Sequence, residues 1–186
     1  MTRGRQILSP ERFQITLQRL AHEILENFSS EASINIIGIQ EKGVVMAERL
    51  IQILKEKGID KPVNFGKLDI TFYRDDFRMR EVPIRASATE INFDVEGKKV
   101  LLVDDVLYTG RTIHAAMSAL QDLGRVNKIE LMTMVDRRFN RHFPINCDYT
   151  GIQVDSLDEA YVAVQWKHID KQDKILIFSA QKKASR

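Results

Sequence analysis

The chain has 186 residues, 44% hydrophobic and 29% charged, and its 28 basic against 26 acidic side chains leave a net charge of +2. That length suits one domain with a real core, and the balance excludes a disordered polyelectrolyte. Bulk charge does not announce a nucleic-acid binder, the single Cys147 excludes an internal disulfide, and no apolar run approaches a membrane span.

Met1 is followed by Thr2-Arg3-Gly4-Arg5 with no apolar signal core, so a cytoplasmic setting is expected. Ser9-Pro10 reads as an N-cap and a first helical position. Phe13, Leu17, Leu20, Ala21, Ile24, Leu25 and Phe28 then recur every three or four residues and predict an amphipathic helix from about Pro10 to Phe28. Its other face carries Arg12, Arg19 and His22, which periodicity alone assigns to solvent. Ile34 to Ile39 is an apolar strand with Gly38 at its end. The loop Gln40-Glu41-Lys42-Gly43 leads into a helix from about Val44 to Lys57, stopped by Gly58.

Val63 to Tyr73 alternates and reads as a strand, or as two with a break at Gly66. From Tyr73-Arg74-Asp75-Asp76 to about Ala88 charge is dense and periodicity lost. That composition suits a flexible hood, placed at about 72–92, as well as it suits a surface hairpin. Ile91-Asn92-Phe93 and Glu96-Gly97 form a short strand and turn.

Val100 to Val103 is apolar on both faces, the pattern of a central parallel strand. Asp104 and Asp105 sit where it should end. The turn Tyr108-Thr109-Gly110 follows, and Arg111-Thr112 opens a helix marked by Ile113, Ala116, Met117, Leu120 and Leu123 and ended by Gly124. A turn between a strand's carboxyl end and a helix offers free amides and a positive dipole end to an anion, above all a phosphate. Gly110 permits close approach, Thr109 and Thr112 add hydroxyls, and the acids would face sugar hydroxyls or magnesium. Together these features describe a site for a ribose 5-phosphate group.

Ile129 to Val135 is the next buried strand and finishes in Asp136-Arg137-Arg138. Tyr161 to Trp166 and Lys174 to Phe178 are two more, around the turn Asp170-Lys171-Gln172-Asp173. Strands alternating with helices predict an α/β fold with a parallel sheet, right-handed crossovers and ligands at the strands' carboxyl ends. Residues 1–186 read as a single domain.

Val100 to Thr112 resembles the phosphoribosyl-pyrophosphate (PRPP) motif of type I phosphoribosyltransferases: apolar strand, two acids, then Thr109-Gly110-Arg111-Thr112. Asp69 to Asp76, Asp104 to Thr112 and Val135-Asp136-Arg137, with Arg19-Leu20-Ala21-His22-Glu23, are similar to one branch of that family. Its members are uracil phosphoribosyltransferases that also regulate a pyrimidine operon, and the similarity runs over nearly the whole chain. The resemblance implies a central, mostly parallel sheet flanked by helices, with a flexible hood. It implies conversion of uracil and PRPP to UMP and pyrophosphate with Mg2+, by a homodimer or higher homo-oligomer without membrane association. In the attenuation branch it also implies UMP-stimulated binding to the pyrimidine operon leader mRNA.

By the same resemblance, Asp104 and Asp105 hold the ribose hydroxyls, directly or through magnesium carried by PRPP, with no side-chain metal ligand assigned beyond them. Val106 and Leu107 lead into Tyr108, Thr109, Gly110, Arg111 and Thr112 around the 5-phosphate. Lys42 and the backbone of Glu41 hold pyrophosphate. Arg137, and Arg85 when the hood closes, add positive charge, and backbone at Val162 reads uracil. Asp104, Asp105 and Arg137 are the catalytic candidates. Adjacent carboxylates repel, so one is expected to have a raised pKa unless a cation is bound.

Arg19 and His22 match the family's RNA face, and Arg138 and Arg141 could extend it. Three departures fall on that side. The segment after Arg137 is one residue longer than in the regulators, the stretch after Gly151 is acidic (Asp155, Asp158, Glu159), and Gln18 stands where threonine is common. Two alternatives remain open: a phosphoribosyltransferase for a purine or orotate, and a non-catalytic PRPP- or nucleotide-sensing RNA-binding regulator.

Overall fold

The computed structural model describes residues 4–75, 87–155 and 160–178. A short strand, β1 (Arg5–Leu8), leads into helix α1 (Pro10–Asn27), whose N-cap Ser9 accepts from the Arg12 amide. Phe13, Leu17, Leu20, Ala21 and Ile24 are fully buried on one face, as their spacing predicts. Then come β2 (Ile34–Ile39), α2 (Lys42–Glu56), β3 (Val63–Leu68), a 3-10 turn at Thr71–Tyr73 and β4 (Glu90–Ile91). The second half runs β5 (Lys99–Leu107), α3 (Arg111–Gln121), β6 (Lys128–Arg137), β7 (Tyr149–Val154), β8 (Tyr161–Gln165), α4 (Lys167–Asp170) and β9 (Lys174–Phe178).

The larger sheet has the order β4-β3-β2-β5-β6-β7, parallel except for β4. β5 is central and deals its side chains alternately to two cores. Leu101 and Val103 join α1 and α2 on one face, while Val100 and Leu102 join α3 on the other. Burial on both faces is what its uninterrupted apolar run demands. Helix α2 sits very close to β5: a Cβ on Gly43 would lie 2.3 Å from the Val103 carbonyl oxygen, so only glycine fits there.

Several elements differ from the sequence expectation. β8 and β9 do not extend the parallel sheet; with β1 they form a separate antiparallel sheet in the order β1-β9-β8. Val162, Val164, Trp166 and Ile175 pack from it into the α1–α2 core. β1 and β7 carry no strong periodicity and are not predicted from the sequence at all. β3 passes through Gly66 without a break and stops at Leu68. α2 begins two residues early, so Lys42 is its first residue and not part of a loop. Of the hood, 76–86 lies outside the described residues.

Candidate active site

The site opens where two neighbouring strands part. β2 and β5 stay in register only to Gly38 and Val103, whereas β5 remains paired with β6 as far as Leu107 and Asp136. The sequence predicts β5 to end before its acids; β6 instead carries the strand through them to Leu107. Asp104 and Asp105 are therefore held on a rigid strand, facing space that β2 has vacated. A cleft of about 440 Å3 results, lined by Gln40 to Lys42, Asp69 to Thr71, Arg74, Asp104 to Val106 and Thr112. A second hollow of about 220 Å3 is lined by Arg74 and the bend from Val106 to Ile113. The two share Arg74, Val106 and Thr112 and make one continuous site.

Burial pushes the Asp104 carboxyl well above the usual carboxylate range, and the neighbouring Asp105 charge pushes it further. Burial also raises Asp105, but Lys42 works against that rise. Lys42 Nζ lies 3.6 Å from the Asp105 carboxylate and donates to the Val164 carbonyl oxygen at 2.9 Å. One ammonium thus ties the first turn of α2 to the central strand and to the edge of β8. Val162 is itself buried on β8, two residues from that carbonyl. Glu41 lines the cleft after a cis peptide bond from Gln40.

The bend lines a concavity at the start of α3. Gly110 is left-handed at φ +87, and α3 begins directly after it. Among the described residues, nothing accepts from the amides of Thr109, Gly110 or Thr112, while their neighbour Arg111 donates weakly to Thr109 Oγ1 at 3.4 Å. Those amides and the N-terminus of α3 suit a phosphate. Arg111 reaches outward to Asp75 and lies 3.3 Å from His142 Nδ1. Arg137 is buried, its guanidinium stacked 3.6 Å over the Tyr108 ring.

Other predicted residues stand elsewhere. Arg85 lies outside the described residues. Arg19 pairs with Glu23 and donates to the Thr150 and Gly151 carbonyls at 2.8 Å each, so its guanidinium braces α1 against β7. His22 lies 2.8 Å from Lys57 Nζ on the outer face. Arg138 pairs with Asp155, both half exposed. Arg141 is not grouped with them: it turns inward to Asp136 and the Tyr108 carbonyl.

Sequence reasoning omits Arg74, Asp69 and Thr71, which line the cleft. Asp69 builds that wall by accepting from the amides of Thr71, at 2.6 Å, and Ser87. The Asp69-to-Asp76 motif holds the signal, but only the fold turns it toward the acids.

Residues 4–169 match the phosphoribosyl transferase domain. The chain is 43% identical over 168 residues to a bifunctional protein PyrR of Elusimicrobium minutum, covering 90% of this chain and 92% of that protein. It is 41% identical over 173 residues to bifunctional protein PyrR of Pelotomaculum thermopropionicum, covering 92% and 94%. Among solved structures, a hypoxanthine-guanine phosphoribosyltransferase of Bacillus anthracis superposes with a TM-score of 0.71 at 19% identity, covering 97% of this chain and 100% of that one. The hypoxanthine phosphoribosyltransferase of Trypanosoma cruzi gives 0.70 at 14% identity, covering 95% and 94%. These two likenesses concern the fold alone.

Proposed function

This chain belongs to the phosphoribosyl transferase family and, within it, to the PyrR group, and from that premise we propose that it makes UMP and pyrophosphate from uracil and PRPP. The observation that carries the proposal is the convergence of Asp104, Asp105, Lys42 and the Thr109–Thr112 bend on one cleft at the carboxyl edge of the sheet. The bend takes the 5-phosphate through backbone amides. The two acids take the ribose hydroxyls, and Lys42 with the Glu41 backbone faces pyrophosphate.

Uracil N1 bonds to the ribose C1 as the bond to pyrophosphate breaks, the N1 proton leaves to the pyrophosphate or to water, and positive charge develops on the sugar. Positioning both reactants in line and placing fixed negative charge near C1 lowers that barrier. Asp105 supplies such charge, and Lys42 opposes the rise in its pKa that burial causes. The stacked Arg137 holds the Tyr108 side of the bend. Backbone near Val162 and Val164, on the edge that Lys42 contacts, reads the pyrimidine.

Magnesium fits this donor set, because two adjacent carboxylates lining one cleft suit a hard cation. Asp104 and Asp105 would hold it. Among the described residues no group of three or more His, Cys, Asp or Glu could cage a metal; pyrophosphate oxygens and water would supply its remaining ligands. When bound it neutralises charge on the leaving group.

The test is a base panel: protein, PRPP and magnesium with uracil, hypoxanthine, guanine or orotate, scored for nucleotide and pyrophosphate. UMP from uracil alone is expected; a purine nucleotide or orotidylate instead would overturn the substrate assignment.

A second function is favoured by the word bifunctional in the relatives' names. We propose that the outer face bearing Arg19, His22, Lys57 and Arg138 meets a pyrimidine operon leader RNA. A gel shift with and without UMP tests it, and retention enhanced by UMP is expected. We further propose a homodimer or higher homo-oligomer and a cytoplasmic location; no helix among the described residues is long and apolar enough to cross a membrane.

A further inference from the structure

The segment between β6 and β7 does more than connect them. Arg141, largely buried, forms an ion pair with Asp136 at the end of β6 and donates to the carbonyl oxygen of Tyr108. The amides of His142 and Phe143 donate to the carbonyl oxygen of Thr109, at 2.9 and 3.2 Å. The Phe143 ring stacks on His114 of α3, with centroids 4.4 Å apart, and its Cβ lies 3.3 Å from where a Gly110 Cβ would stand. Three consecutive residues of one loop therefore grip two consecutive carbonyls of the bend.

In a trans peptide the carbonyl of one residue and the amide of the next point in opposite directions. Holding the Tyr108 carbonyl fixes the aim of the Thr109 amide, and holding the Thr109 carbonyl fixes that of the Gly110 amide. Both amides are then turned away from the loop, toward the hollow that the bend lines. We propose that Arg141 is a positioning residue for the 5-phosphate of PRPP and UMP: it sets the direction of the bend's amides through their carbonyls and touches no substrate itself. The inference rests on the phosphoribosyl transfer reading above. It also removes Arg141 from the RNA face, since its guanidinium is committed inward.

The fork of arginine is what the role requires, since one planar group must serve a carboxylate and a carbonyl together. Calorimetric titration of wild type, Arg141→Gln and Arg141→Lys with PRPP, UMP and uridine tests this. Arg141→Gln should bind PRPP and UMP about tenfold more weakly, a change of about 1.4 kcal/mol, and uridine, which lacks the phosphate, as wild type does. Arg141→Lys should recover part of the loss. Asp136→Asn, which loosens the arginine while leaving it in place, should shift the same ligands in the same direction and decides the matter if Arg141→Gln does not fold. Unchanged UMP affinity, or an equal loss for uridine, would overturn the proposal, as would a loss confined to leader RNA. A wild-type protein that binds no PRPP would instead overturn the reading beneath it.

Discussion

The Lys42 ammonium stands 3.6 Å from the Asp105 carboxylate, joining the first turn of α2 to the central strand across the mouth of the cleft. Burial alone would protonate Asp105 more readily, and this cation opposes that. Lys42→Met should therefore raise the Asp105 pKa, and the acid limb of the pH dependence of kcat/KM should move to higher pH. A pH–rate profile of the variant checks this, and a limb unmoved while the overall rate falls would assign Lys42 to substrate contact alone.

Asp104 is the more strained acid, raised by burial and by Asp105 together. A carboxyl whose folded pKa lies above its unfolded value binds protons more tightly when folded. Stability should then rise as pH falls through the raised folded value and be lowest above it. Asp104→Asn removes that strain. It is expected to gain about 1 kcal/mol at neutral pH, a Tm rise of about 2–4 °C for a chain of this size, while PRPP turnover falls strongly. Thermal melts across pH with a parallel assay measure both.

At the opposite edge of the sheet, Glu130 is buried and collects Lys128 at 2.7 Å, Lys99 at 3.0 Å and the Tyr149 hydroxyl at 2.5 Å. Burial pushes its pKa up, yet the hydrogen bonds from Lys128, Tyr149 and Lys99 outweigh that and leave it lowered. Its contribution is thus present above the ordinary carboxylate value and is lost as pH falls through the lowered one. Glu130→Ala leaves the nearly buried Lys99 without its carboxylate, with the Asn27 carbonyl and the Phe28 ring still beside it, and should cost about 3 kcal/mol, read by denaturant unfolding. kcat of the surviving folded protein should be unchanged, because the residue lies at the far end of β6.

Burial pushes the Cys147 thiol up to about 11, and its sulfur lies 3.0 Å from Thr133 Oγ1. At pH 8 only about one part in a thousand is then thiolate, the reactive form. Iodoacetamide should modify the native protein about one to two hundred times more slowly than the urea-unfolded chain, whose thiol has the ordinary pKa. Comparable rates would place the thiol at the surface.

The two-faced apolar run of β5, the Thr109-Gly110-Arg111-Thr112 bend and the spacing of α1 are local patterns, and each states its structure from its own residues. The sequence by itself therefore determined the parallel α/β architecture, the family, and the glycine–threonine bend after a pair of acids. It left β1 and β7 unmarked because short strands paired at an edge carry little periodicity of their own, and it placed β8 and β9 in the wrong sheet because apolar alternation does not name a partner. Only the tertiary structure decided that Lys42 meets Asp105 and the edge of β8, that Arg74 joins the cleft, and that Arg141 turns inward beneath the bend. Those relationships link residues far apart in the chain, and a side chain's charge does not say which distant carbonyl or carboxylate the packing will bring within reach.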